Sequence, residues 1–136
     1  MQELAIALRT TAARLAAGSS YQWGNLGMCN CGHLVETVCG LAPPQIHRIA
    51  LEREGDWEPL ANAYCPTRGD AIDDVITTLL DLGLSTRDIG HLEKLDDPRV
   101  LAQLGVRWSR RNQRADVVAY LEAWAMLVDD GLALAA

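Results

Sequence analysis

The chain has no phenylalanine and a single lysine, Lys94, among its 136 residues. Four tryptophans and three tyrosines complete the large aromatic side chains, so Leu, Ala, Val and Ile must fill most of any core. A core of that kind suits packed helices. Long hydrophobic runs are missing too: Asp, Glu or Arg breaks every apolar segment before it reaches the roughly 20 residues that span a bilayer, which argues against a membrane role. The opening MQELAIALRTTAARLAAG has neither the basic start nor the unbroken apolar stretch of a signal peptide, and a cytoplasmic protein is expected. In a reducing compartment Cys29, Cys31, Cys39 and Cys65 are thiols or metal ligands sooner than a disulfide framework. Positive charge is scarce as well. Twelve Lys and Arg face eighteen Asp and Glu, a net charge of −6, so a polyanion is repelled overall and nucleic acid is not an expected partner. With 49% hydrophobic and 22% charged residues, disorder is excluded in turn, and the length suits one domain over residues 1–136.

What is present is helical periodicity with clear punctuation. Leu4, Leu8, Ala12 and Leu15 recur at three- and four-residue spacings and predict a helix over 2–17, ended by Gly18. HLVETVCGL reads as a short helix stopped by Gly40 and Pro43-Pro44, QIHRIALERE as a third, and residues 57–64 as a fourth closed by Cys65-Pro66. Ile72, Val75, Ile76, Leu79 and Leu80 mark the inner face of a helix capped by Thr67 or Asp70 and ended by Gly83. Ser85 and Asp88 have capping-box spacing at the start of STRDIGHLEKL, and Asp97-Pro98 opens PRVLAQLG because proline is preformed for a first turn. A last helix over 113–130 buries Val117, Tyr120, Leu121, Trp124 and Leu127. No alternating strand pattern competes. The expected fold is all-α, one domain of seven or eight helices, interrupted by a long glycine-rich loop near residues 19–30.

That loop and its continuation, YQWGNLGMCNCGH over residues 21–33, is the most chemically loaded stretch. Long connections inside compact domains are functional or disordered, and Tyr21 and Trp23 argue against disorder. If Asn30 caps the following helix, Cys31 and His33 sit in its first turn, where unpaired N–H groups and the dipole lower a thiol pKa. Gly24, Gly27 and Gly32 would let the backbone approach a ligand closely. Three readings follow. In the first, Cys29, Cys31, His33 and Cys65 form a tetrahedral sulfur and nitrogen set for zinc or iron, with Tyr21 and Trp23 walling the pocket. In the second, Cys31 is a nucleophile or redox thiol with Cys29 as its resolving partner. In the third, the chain is a helical interaction module whose cysteines are structural. Cys39, on an apolar helix face, reads as a core residue in all three.

YQWG followed by CGHLV resembles the opening motif of bacterial cell-wall peptidases of the papain-like clan, in which Tyr-x-Trp-Gly precedes a helix-starting Cys followed by Leu-Val. The resemblance covers residues 21–35 and implies Cys31 as nucleophile, with a catalytic histidine carried on a β-sheet. The whole chain is also similar to a group of small bacterial proteins with the same YQWG…CNCG, YCP and GDW patterns. That second resemblance implies a shared design at these loops and no particular chemistry.

Three other features need weighing. DVITTLLDLGLSTRDIGHLEKL has the helix, glycine turn and helix of a DNA-reading motif, but its second helix sets Arg87 and Lys94 against Asp88, Glu93, Asp96 and Asp97, so a plain helical hairpin is the better expectation. RWSRRNQR over 107–114 places cations against the dipole at the start of the last helix. Either the acidic stretches EREGDWE (52–58) and LEKLDD (92–97) neutralise it, or Arg110, Arg111 and Arg114 meet an anionic ligand or an acidic partner. Asp70, Asp73 and Asp74 fall in the first turn of a helix, where acids belong on electrostatic grounds. Trp108 and Trp124 are expected in the core.

Overall fold

Three helix starts have a plain local cause. Ser85 Oγ accepts the N–H of Asp88 at 3.1 Å while the Asp88 carboxylate accepts the N–H of Ser85 at 2.9 Å, the reciprocal capping box that the spacing predicts. Asp97 Oδ1 takes the N–H of Arg99 at 2.9 Å, with Pro98 as the first helical residue. Pro43 and Pro44 likewise open a helix and do not close the preceding one, because a proline in the first turn lacks only an N–H that has no helical partner there. Gly40 alone ends the preceding helix, with a φ of +70°.

The computed structural model describes residues 2–53 and 55–131. Among the described residues the chain forms α1 (Gln2–Ala16), α2 (Asn30–Cys39), α3 (Pro43–Leu51), α4 (Trp57–Asn62), α5 (Ala71–Leu82), α6 (Thr86–Lys94), α7 (Pro98–Leu104) and α8 (Arg114–Asp129), with no strand. The all-α expectation is met, and none of these helices is long and apolar enough to cross a membrane. The sheet-borne histidine implied by the peptidase resemblance has no counterpart among the described residues.

The terminal helices α1 and α8 make the most extensive pairing, and α7 packs on α8. Helix α2 is the hub, touching α1, α3, α5 and α6. The expected hairpin of α5 and α6 gives way to a different pairing: α6 packs chiefly on α4, because Gly90 lets Glu58 of α4 come close to its backbone. Leu8, Leu15, Leu34, Ile46, Ile72, Ile76 and Ile89 are fully buried beside Trp57, Tyr120 and Trp124, each such aliphatic side chain contributing about 1.5–3 kcal/mol of transfer free energy. Trp124 is therefore a core residue as expected. Trp108 is not: it is 69% exposed, lying in the connection beyond Gly105 where no helical period directs it inward. Asp73, read as an ordinary first-turn acid, is buried and takes both terminal guanidinium nitrogens of Arg53, at 3.0 and 3.3 Å.

Candidate functional site

The connection from α1 to α2 is pinned along its length. The carbonyls of Leu15 and Ser19 accept from Arg114 at 2.8 and 2.6 Å. The Leu26 N–H donates to His47 Nδ1 at 3.0 Å, and the Leu26 carbonyl accepts the indole N–H of Trp57 at 3.1 Å. The loop glycines act through close approach. A Cβ on Gly27 would stand 2.0 Å from the Pro43 carbonyl oxygen, and one on Gly32 would stand 2.4 Å from that of Leu26. Around Gly24 nothing lies within 4 Å, so its lack of a side chain answers no contact.

The sequence-predicted residues are partly brought together. Cys29, and not Asn30, is the cap residue of α2. Asn30 is buried one step further in, and its amide reaches the carbonyls of Leu92, Glu93 and Arg111 at 3.2, 2.9 and 3.1 Å. Tyr21 Oη lies 2.7 Å from both Asn30 Oδ1 and the Arg111 carbonyl oxygen, sharing its proton between them. Trp23 lies under the Arg111 guanidinium, 5.4 Å from ring centroid to carbon. Tyr21 and Trp23 thus hold Arg111. The tryptophan beside Cys29 is Trp57, whose six-residue helix is too short for a period to reveal its facing.

His33 is engaged at both ring nitrogens. Nε2 lies 2.7 Å from the Ser20 carbonyl, which can only accept, and Nδ1 lies 3.1 Å from an Arg14 guanidinium nitrogen, which can only donate. That pair of partners fixes a neutral tautomer with no lone pair to spare. Burial, reinforced by Arg14 and Arg114, holds its pKa below the ordinary histidine range.

Cys29 and Cys31 are both sealed from solvent. Cys31 Sγ lies 3.2 Å from the Ile89 carbonyl, and Cys29 Sγ lies 3.7 Å from that of Leu26. The helix-end activation expected of Cys31 is overturned: burial, with the Glu93 carboxyl next to them, pushes both thiols well above the ordinary cysteine range. Glu93 was not foreseen as a member of this cluster. It is 5% exposed, accepts the Cys31 N–H at 3.1 Å and interacts with both thiols. No ion pair reaches it among the described residues, and burial raises its pKa. The signal was present in the sequence, since Ile89, Leu92 and Glu93 share one helical stripe.

Cys65 stays apart from this cluster. It lies in the turn after α4 with its N–H on Asp73 Oδ1 at 3.1 Å, and the Thr67 N–H and hydroxyl, helped by Arg68, lower its pKa. Among the described residues no group of three or more His, Cys, Asp or Glu side chains is arranged to hold a metal ion; Cys29, Cys31, His33 and Cys65 are not gathered into the expected set. Cys39 packs against the core.

The basic segment finds partners other than the acidic stretches weighed for it. Arg110 binds Asp116 of the first turn of α8 through Nε at 3.1 Å and Nη2 at 3.3 Å, and its own N–H meets the same carboxylate at 2.7 Å. Arg114 turns back onto the α1 loop, and Arg111 covers Trp23. Glu54, in one of those stretches, lies outside the described residues. Arg107 has no hydrogen-bond or ion-pair partner among the described residues, and Trp108 and Val106 beside it are exposed. Comparison with protein-family models, with curated proteins and with solved structures finds no match in any of the three.

Proposed function

We propose that the chain is a helical binding module that takes an acidic protein segment on the 105–113 connection. The observation that carries this reading is Trp108, 69% exposed on a connection whose far side is clamped by Tyr21, Asn30 and Trp23 through Arg111. A rigidly mounted tryptophan flanked by arginines is the composition of a binding hot spot, and pre-ordering of its support lowers the entropic cost of association. Among the described residues Arg107 and Arg111 have no ion-pair partner, on a chain that is otherwise acidic, which favours a partner bearing carboxylates next to an apolar anchor. The clamp residues are those of the YQW and CN motifs, so a shared design at that loop would serve to present this one.

The test is fluorescence anisotropy with a labelled peptide of alternating glutamate and leucine. Saturable binding is expected, weakened at least tenfold by Trp108→Ala and by Arg107→Ala, with the melting temperature unchanged. Equal binding by the Trp108→Ala variant, or by a lysine and leucine peptide, would refute the assignment.

A thiol enzyme at Cys31 has the least support, the sulfur being buried and protonated. Four unpaired thiols favour a cytoplasmic setting.

A further inference from the structure

Helices α4 and α6 enclose a cleft of about 220 Å³ on the side away from the cysteines' loop, lined in part by Glu58, Arg87, Gly90, His91, Lys94 and Asp96. Its lysine is already neutralised, and its histidine is already hydrogen-bonded. Lys94 Nζ lies 2.6 Å from the Glu58 carboxylate, and His91 Nδ1 lies 2.6 Å from Asp96. Arg87 differs, because among the described residues its guanidinium has no hydrogen-bond or ion-pair partner. It stands four residues before His91 on one helix, so the two side chains are neighbours on the same face. Asp96 holds His91 by one ring nitrogen and thereby orients the ring, leaving Nε2 for another partner. The floor is Gly90, whose absent side chain keeps the cleft open: a Cβ there would come within 3.1 Å of the Glu58 carboxylate.

We infer that this cleft binds a small molecule bearing an oxyanion, a carboxylate or a phosphate monoester, with the oxyanion on Arg87 and an adjoining polar group on His91. The planar fork of a guanidinium matches two oxygens of either anion, and because Lys94 is paired with Glu58, Arg87 is the lining's unpaired guanidinium among the described residues. A volume of about 220 Å³ sets the ligand at metabolite size. The site is separate from the Trp108 connection, and neither assignment depends on the other.

The experiment is a titration of ¹⁵N-labelled protein, followed by amide correlation spectra, with inorganic phosphate, with succinate, and with sodium chloride at matched ionic strength. Saturating shifts confined to residues 86–96 and 58–62 are expected for at least one of the two oxyanions and not for chloride. Saturation by phosphate alone identifies a phosphomonoester site, and saturation by succinate alone identifies a carboxylate site. Arg87→Ala should weaken binding at least tenfold, and Gly90→Ala several-fold by displacing Glu58 into the cleft. Arg48→Ala, which removes an exposed arginine from α3, should leave it unchanged. Shifts that are linear and scattered over the surface, that chloride reproduces, or that survive Arg87→Ala at full affinity would overturn the inference.

Discussion

Replacing Glu93 by glutamine should make the protein more stable at neutral pH, by an amount that grows with pH. In the unfolded chain a glutamate loses its proton near its ordinary value of about 4.3. In the fold, burial raises that value, with the Cys31 N–H and the two thiols opposing the rise and the nearby Asp56 adding to it. Between the two values the folded state holds a proton that the unfolded state has released. Stability therefore falls as pH rises through that window, by about 1.4 kcal/mol for each pH unit. Below the window both states are protonated, and above it the loss is complete and constant. Glutamine keeps the oxygen that accepts the Cys31 N–H at 3.1 Å and cannot ionise, so the variant lacks this descent. Burial raises Asp88 in the same sense, and His33, held low, titrates in the opposite one, so the quantity to measure is variant minus wild type. Urea unfolding followed by circular dichroism between about pH 4 and pH 8 gives it directly. The difference should be flat at the acid end and then widen, each kcal/mol showing as roughly 3–5 °C in melting temperature for a chain of this length. Parallel curves for the two proteins would mean that the carboxyl titrates in the fold as it does in water, and would refute a dry Glu93 between two thiols.

The thiols make a second prediction: at neutral pH iodoacetamide should label Cys65 first in the folded protein, Cys39 slowly, and Cys29 and Cys31 only on unfolding, as read by peptide mass spectrometry. Early labelling of Cys31 would reopen the thiol-enzyme reading. Gly27→Ala should cost about 3 kcal/mol or more, because the new methyl meets backbone and not a yielding side chain, whereas Gly24→Ala should stay within about 0.5 kcal/mol; equal losses in calorimetry would contradict the loop packing. Arg114→Ala, which strips the Ser19 carbonyl of its side-chain donor while the Leu15 carbonyl keeps the Gly18 N–H, should cost about 1–3 kcal/mol and exceed the loss from Arg110→Ala, whose ion pair is exposed and screened by solvent. The reverse order would contradict the assigned partners.

The helices were legible because their signals are local. Ser85 with Asp88, Asp97-Pro98 and the terminal glycines act within a few residues of the backbone they control, and apolar spacing gave α1, α5 and α8 their inner faces. The pairing of helices was less so. α5 and α6 are neighbours in sequence, yet α6 lies on α4 because Gly90 and Glu58 fit each other, a contact no periodicity encodes. Within the loop, residue types were read correctly and their partners were not. Asn30 has the right chemistry for a helix cap, but its amide serves the end of α6 and the Arg111 carbonyl. Cys31 occupies the helix end that favours a thiolate, and there desolvation outweighs the dipole, since the helix end faces protein instead of water.

The ambiguity of the YQWGNLGMCNCGH stretch has a physical origin. A long connection that folds against a core brings its own N–H and C=O groups out of water, and each must find a partner. The side chains able to supply one, histidine, asparagine, tyrosine, tryptophan and cysteine, are also those that bind metals and ligands. What distinguishes the two uses is whether a donor or acceptor is left over once the backbone is satisfied. By that criterion His33 is fully engaged, with the Ser20 carbonyl on one nitrogen and Arg14 on the other, and Asn30 is likewise occupied. Among the described residues the capacity that remains lies elsewhere: in the Glu93 carboxyl without a cation, in Arg87 on its cleft, and in Trp108 with Arg107 on a connection that this stretch holds in place. Function in this chain is therefore sought at the residues its densest motif supports, more than at the motif itself.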